Sequence, residues 1–332
     1  MALPYLVDFR LAPSQTRSTY REVRFARFAR RAPKLAANEK VPNTCYTFLM
    51  SLDPLTSIII SPRNDVESMT IVALAEALHI PCIVSAQPHG ATLDVEPDLV
   101  GRIRETNPVA HDIVIVEMPN VSTEDKLREL GFDVHIVDHH RYESLDRMRK
   151  ESSLEQIRAL FDMDDTTLRI AGFDPVLIRG VGLIDRGFVW EIAKENVPEA
   201  DRKRMIAYYR EQNAILDPNR IQEEKAAKSA WKNRKTVEGV IVVTSEDAHL
   251  SIRDAISFLV AEEFETPPVV IISQPGRIVY VQDTPTALAL QQTFGGFTFG
   301  QNLCWGKPID ANGNLPTVNE VISAHHLALL TK

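Results

Sequence analysis

The chain has 332 residues, 44% hydrophobic and 25% charged, with a formal net charge of −8. That length exceeds one comfortable core, so two domains plus an extension are expected, with the composition of an ordinary soluble globular protein. No apolar run approaches the roughly 20 residues that span a bilayer, and the first residues lack the charged-then-apolar order of a secretory signal. Three scattered cysteines, Cys45, Cys82 and Cys304, argue against a disulfide framework or a cysteine-based zinc site. The expectation is a cytoplasmic protein with no membrane partner.

Residues 1–50 read as a basic N-terminal extension. Seven arginines and one acid lie between Arg10 and Arg31, so a local charge of +6 leaves −14 for the remainder. Arg17, Arg21 and Arg24 follow helical spacing, with Tyr20 and Phe28 interleaved. Such a face suits contact with phosphates or a partner; it equally suits an amphipathic helix packed on the chain's own acidic body.

From Thr56 the pattern becomes strand–helix–strand. Ile58–Ile60 is expected as a buried strand, Ser68–Leu78 as a helix and Cys82–Val84 as a second strand. Ile113–Val116 follows as a third strand, Thr123–Leu130 as a helix and Val134–Val137 as a fourth strand. Short apolar runs alternating with helices imply an α/β fold with a parallel sheet covered on both faces. Residues 152–198 read as mostly helical.

Residues 199–235 read as a charged helical connector broken at Asp217-Pro218. A second, smaller α/β lobe is expected over 236–332. Its strands are placed at Gly239–Val243, Val269–Ile272 and Ile278–Val281, and its helices at Ser251–Glu263 and Asn319–Leu330. The division is thus 1–50 extension, 51–198 metal-binding domain, 199–235 connector and 236–332 substrate-binding lobe, with the cleft between the lobes as a ligand site.

Acid-bearing points fall after the expected strands. Asp65 and Glu67 follow the first, Glu117 follows the third, and Asp138-His139-His140 follows the fourth; Asp185 lies in the helical region beyond. In open α/β sheets, ligands bind beyond the carboxyl ends of the strands. Carboxylates with imidazole suit Mn²⁺, Zn²⁺ or Fe²⁺ better than Ca²⁺. Each residue also has a plainer reading: Asp65 as a helix-entry residue, Glu117 as a loop acid, Asp185 as the partner of Arg186 or Arg179. No glycine-rich phosphate loop, dinucleotide fingerprint or nucleophile elbow is present. His325-His326 on the last helix reads as a surface or interface pair.

The ordered set resembles the DHH phosphoesterase family, which includes single-strand exonucleases, nanoRNases, cyclic-dinucleotide phosphodiesterases and manganese pyrophosphatases. Asp138-His139-His140 after an apolar strand matches the namesake motif. Gly182–Phe188 looks like the later metal-binding segment, with Arg186 in place of threonine. Phe294-Gly295-Gly296-Phe297 falls where the family carries a Gly-Gly-His-like substrate loop. The resemblance spans roughly residues 55–310.

It implies Asp65, Glu67, Glu117, His139 and Asp185 as metal ligands for one or two Mn²⁺ ions, other divalent metals being admissible. It further implies His140 at the substrate or leaving group and Asp138 orienting the histidines. Arg63, Arg186, Gly295 and Gly296 are implied as substrate contacts. The sequence departs from the family where the first motif reads Asp65-Val66-Glu67 and its histidine position falls on Ser61 or Arg63. It departs again at Glu117, where aspartate is usual, and at Phe297, which replaces the loop histidine. Serine is a poor ligand and a guanidinium is none. The second-metal set, Glu67, Glu117, His139 and Asp185, is complete. Arg63, if it pointed inward, would take the first ion's place.

The implied function is hydrolysis, by a metal-activated water, of a phosphodiester in a short oligonucleotide or signalling nucleotide. The alternative is a catalytically degenerate scaffold that binds a nucleotide, nucleic acid or a protein partner. A short single-stranded nucleic acid is an expected partner, with possible contact through the basic segment; a homodimer is compatible with either reading.

Overall fold

A computed structural model describes residues 51–332, apart from Glu143, Pro218, Ala248, Gln301 and Lys332. The basic extension, including Arg10–Arg31, lies outside the described residues.

The first half is built from β1 (Ser57–Pro62), α1 (Val66–Ala77), β2 (Cys82–Ser85), α2 (Leu99–Thr106), β3 (Asp112–Val116), α3 (Val121–Glu129) and β4 (Asp133–Val137). The four strands form one parallel sheet in the order β2-β1-β3-β4. Alternation along β1 and β3 assigns the faces. Ile59, Val114 and Val116 pack with α1 and later helices on one side. Ile58, Ile60, Ile113 and Ile115 pack with Ile103 of α2 and Leu127 of α3 on the other. Ile58, Ile59 and Ile60 are fully buried, each contributing about 1.5–3 kcal/mol of apolar transfer.

The helical stretch comprises α4 (Ser153–Leu160), α5 (Asp165–Ile170), α6 (Pro175–Lys194), α7 (Glu199–Leu216) and α8 (Arg220–Lys232). The remainder is β5 (Lys235–Val237), β6 (Val240–Thr244), α9 (Arg253–Glu263), β7 (Val270–Gln274), β8 (Ile278–Gln282), α10 (Ala287–Phe294), β9 (Phe297–Phe299), β10 (Cys304–Pro308) and α11 (Val318–Leu330). These strands form a second, mixed sheet in the order β5-β6-β7-β8-β10-β9. Only the β6–β7 pair in it is parallel.

The α6 helix ties the two sheets together. Its first half, through Ile178 and Val181, belongs to the core of the parallel sheet. Its second half, through Val189, Trp190 and Ile192, joins the core that α7, α8 and α9 build against β6 and β7. Between the halves the helix is broken at Gly187 and Phe188. The other face of the second sheet is covered by α10 and α11.

The expected fold class holds: mixed α/β, with a parallel sheet and a second sheet. Several features differ from expectation, among them α2, a helix where none was placed. Lys235, placed at the end of the connector, opens β5. The β9–β10 hairpin and α10 are ordered where only a glycine loop was read. His325 is buried, its Nδ1 within 2.8 Å of Thr286 Oγ1 and 3.1 Å of Thr284 Oγ1, because α11 turns that face onto the sheet; His326 alone reaches outward, 3.2 Å from Glu238. Among the described residues no helix is long and apolar enough to cross a membrane.

Candidate metal centre

The strand order places the carboxyl ends of β1, β3 and β4 side by side. The chain leaves β1 toward β2 on one side while β3 lies on the other, so the crevice beyond β1 and β3 is the switch point where such sheets take ligands. Glu67 enters from the first turn of α1, Glu117 from the residue after β3, His139 from just beyond β4 and Asp185 from α6. One ligand-type atom from each of the four lies within 4.8 Å of the others. Four segments far apart in sequence therefore meet at one point.

The donor atoms face one another without satisfying one another. His139 Nε2 lies 2.7 Å from Asp185 Oδ2 and 3.3 Å from Glu117 Oε1. Yet His139 Nε2 and Asp185 Oδ2 are buried with no properly directed hydrogen bond. Buried polar atoms normally find partners, and two orphans aimed at shared space suit ligands of a cation. The residues thus fit a metal ion, and their mixed oxygen and nitrogen set matches a transition dication.

Charge supports the same conclusion. Burial, helped by the charges of Asp185 and Glu117, pushes Glu67 well above the usual carboxylate range, against the Leu154 amide and the Ser152 hydroxyl. Asp65 rises for the same reasons. Burial acts to lower His139, but Asp185 and Glu117 outweigh it and hold the imidazole protonated. Glu117 is held low despite burial because His139 and His140 face it. The charged His139 imidazole is the counter-charge to Glu117 and Asp185, a place that a dication would take with release of the proton.

Backbone strain marks the same place. Glu117 has φ +50°, a left-handed conformation costing a non-glycine residue about 1–2 kcal/mol. Its amide donates to Val137 O at 3.0 Å, which fixes it beside β4.

The N-terminus of α4 holds two of the four side chains. Leu154 N–H donates to Glu67 Oε1 at 2.8 Å and Ser153 Oγ donates to Glu117 Oε1 at 2.7 Å. Gln156 of the same helix donates to Asp138 O at 3.1 Å. Residue-by-residue reading passed over these groups. A signal existed in Ser152-x-x-Glu155, a capping box that fixes where α4 begins.

Of the other expected site residues, His140 joins Glu117 and His139 in a second metal-competent group, its Nδ1 3.8 Å from Glu117 Oε1, and the rest fall elsewhere. Asp65 caps α1, accepting Ser68 N–H at 2.7 Å; it feels Asp185 and Glu117 but stands outside the group of four. Asp138 is buried and turned toward His140, Tyr142 and Arg147: it accepts from His140 N–H at 3.0 Å and from Tyr142 Oη at 3.0 Å, and Arg147 lies 3.8 Å away. His140 is half-exposed, its Nδ1 3.2 Å from Asp138 Oδ1 and its ring 4.3 Å from that of His139.

Arg63 is exposed and does not plug the centre. Ser61 is buried, its hydroxyl donating to Pro62 O. Arg186 neither pairs with Asp185 nor joins the group: it is buried among Glu155, Glu191 and Glu195 at 3.4, 3.3 and 2.8 Å. The Gly295 amide, expected to approach a phosphate, ends α10 by donating to Gln291 O at 2.8 Å. Gly296, at φ +87°, allows β9 to lie on β10, since a Cβ there would sit 2.2 Å from Gly306 O. A further group unread in the sequence, His111, Asp112 and Asp133, lies at the opposite, amino end of β3 and β4.

No protein-family model matches the chain, and no curated protein does. Solved structures similar to it include exonuclease RecJ bound to manganese, at 12% identity and TM-score 0.38 over 85% of this chain and 96% of that one. The pGpG-specific phosphodiesterase PggH from Vibrio cholerae matches at 9% identity and TM-score 0.38, over 82% of this chain and 98% of that one. An uncharacterized protein from Helicobacter pylori G27 matches at 11% identity and TM-score 0.26, over 83% of this chain and 99% of that one.

Proposed function

We propose that the chain is a divalent-metal-dependent phosphoesterase that cleaves a phosphodiester in a short oligonucleotide or signalling nucleotide, with Mn²⁺ as the preferred ion. The observation that carries this reading is the convergence of Glu67, Glu117, His139 and Asp185, in which buried His139 Nε2 and Asp185 Oδ2 face each other without a well-directed hydrogen bond. A bound dication supplies Lewis-acid polarisation of a phosphoryl oxygen and an acidified water.

The chain's own residues supply the rest. Asp138 fixes the His140 ring through Nδ1, leaving Nε2 for the substrate. Burial acts to lower His140, but the Asp138 hydrogen bond and the Glu117 charge outweigh it and raise it, which favours the ring as a proton donor to a phosphoryl or leaving oxygen. Exposed Arg63, two residues before Asp65, is available to phosphate. The proposed division keeps 51–198 as the metal-binding domain, 199–235 as the connector and 236–332 as the substrate-binding lobe, with α6 serving both sheets.

The test incubates the purified chain with Mn²⁺ and di- to pentanucleotides, cyclic dinucleotides, pyrophosphate and polyphosphate, beside His139→Ala and Asp185→Ala. Turnover abolished in both variants is the expected result. Binding of a nucleotide with no turnover on any substrate would overturn hydrolysis. It would leave a scaffold, the reading favoured by Ser61, which puts a buried hydroxyl where a histidine ligand is expected.

A further inference from the structure

The amino ends of β3 and β4 gather donor groups that no step of the phosphoesterase reading uses. Asp112 opens β3, Asp133 opens β4, and the two are direct partners in the parallel register. Residues two apart on a strand share a face, so His135 stands on the face of β4 that carries Asp133. His111 comes from the residue before β3. His135 Nε2 lies 2.9 Å from Asp112 Oδ1, and His111 Nδ1 lies 2.8 Å from Asp112 Oδ2. One ligand-type atom from each of His111, Asp112 and Asp133 lies within 4.8 Å of the others. Two imidazoles and two carboxylates thus surround one point at the sheet's rim.

The arrangement is costly without a cation. Like charges placed directly opposite on neighbouring strands repel, and here one of the pair, Asp112, is 7% exposed, where a carboxylate needs a positive partner. Among the described residues no lysine or arginine pairs with Asp112 or Asp133; Asp112 meets the two imidazoles alone. The site is also open to an entering ion, because β4 is the outer strand of its sheet and the His111 and His135 side chains are 58% and 32% exposed. A set of two nitrogens and two carboxylates suits Zn²⁺, which takes four such ligands at about 2.0–2.2 Å and binds imidazole more strongly than Mn²⁺ does. At a rise of about 3.3 Å per residue, Asp112 and Glu117 stand roughly 16 Å apart along β3, too far for one ion to serve both ends.

We propose that His111, Asp112, Asp133 and His135 bind a Zn²⁺ ion that clips the edge strand β4 to β3. This site is separate from the four-residue centre and independent of the phosphoesterase reading. Its role is structural: β4 runs on into Asp138-His139-His140, so the ion anchors the far end of the strand that delivers His139.

The experiment is a Zn²⁺ titration of the full chain carrying nitrogen-15 histidine, followed by magnetic resonance of the imidazole rings. The His111, His135 and His139 signals are assigned by their loss in His111→Ala, His135→Ala and His139→Ala. The His111 and His135 signals are expected to move together and to saturate with one affinity. Asp133→Asn, at an exposed position where the fold tolerates the change, should weaken that affinity about tenfold or more. Signals of His111 and His135 that stay in place at a roughly hundredfold excess of Zn²⁺ over the chain overturn the proposal. So does an affinity indifferent to Asp133→Asn, since the ion would then lie elsewhere. His139 reports the other centre in the same spectra. If its signal alone moves, only the clip is lost; if it alone stays fixed, only the four-residue centre is lost.

Discussion

At the scale of single residues, environment rather than identity decides what a carboxylate does. Asp65 was expected to ligate metal as Glu67 and Asp185 were, yet it caps a helix, while Asp138, expected to orient the histidines, accepts from His140 and Tyr142. Asp283 illustrates the same point away from the centre. It is half-buried with φ +55°, and burial raises its carboxyl to about 6 against the pull of Lys194. The folded state therefore holds the proton more tightly than the unfolded chain, whose value is near 3.8. The stability this group lends below pH 4 is lost as pH rises through about 6. Asp283→Asn, with a residue that tolerates the left-handed conformation, is expected to gain about 1 kcal/mol at pH 7.5, after discounting for solvent screening. The gain should vanish near pH 4. Urea unfolding at the two pH values measures it, and an equal effect at both would remove burial of the charge as its cause.

At the scale of elements, α4 and α6 organise the centre, α6 through Asp185 in the segment read as metal-binding and α4 without any metal-binding motif. Ser153 is fully buried and holds Glu117 through one hydrogen bond. Ser153→Ala should weaken Mn²⁺ affinity about tenfold, the usual scale for a group that orients a ligand. It should cost only about 1 kcal/mol of metal-free stability. Manganese titration followed by electron paramagnetic resonance reads the first and denaturant unfolding the second; an unchanged affinity would remove α4 as a clamp. The contact between α6 and α7 depends on Gly180, where a Cβ would lie 2.4 Å from Met205 Cγ and 2.6 Å from its Cβ. Gly180→Ala should destabilise by about 1–3 kcal/mol through overpacking, seen as a lower urea midpoint, whereas an unchanged midpoint would mean Met205 swings away freely.

At the scale of the whole molecule, an ion that cross-links four distant segments should stabilise the folded chain. At a hundredfold excess over its dissociation constant Mn²⁺ contributes about 2.7 kcal/mol, a rise in melting temperature of roughly 5 °C or more for a chain of this size. The rise should be absent in Asp185→Asn and smaller with Ca²⁺, which prefers an all-oxygen site. A melting temperature indifferent to Mn²⁺ in the unaltered chain counts against the centre.

Much of this was legible beforehand. Apolar runs such as Ile58–Ile60 and Ile113–Val116 announce buried parallel strands because both faces of such a strand must be hydrophobic. Acids placed after those strands mark the ligand edge. The β9–β10 hairpin was not legible, because its strands span only three and five residues, too short for a periodic signal, and are held by the pairing of β10 with β8 rather than by local preference.

The sequence by itself determined the α/β class and the run of the parallel strands, since these follow from periodicity; it offered Glu67, Glu117, His139 and Asp185 together with Asp65 through a family resemblance, and the tertiary structure decided which four converge. Only the tertiary structure decided that Arg186 is consumed by Glu155, Glu191 and Glu195, that Asp138 faces Tyr142 and Arg147, and that Phe188 meets Arg253. Such choices depend on which partners arrive from distant segments, and a local pattern carries no record of the far side of a contact.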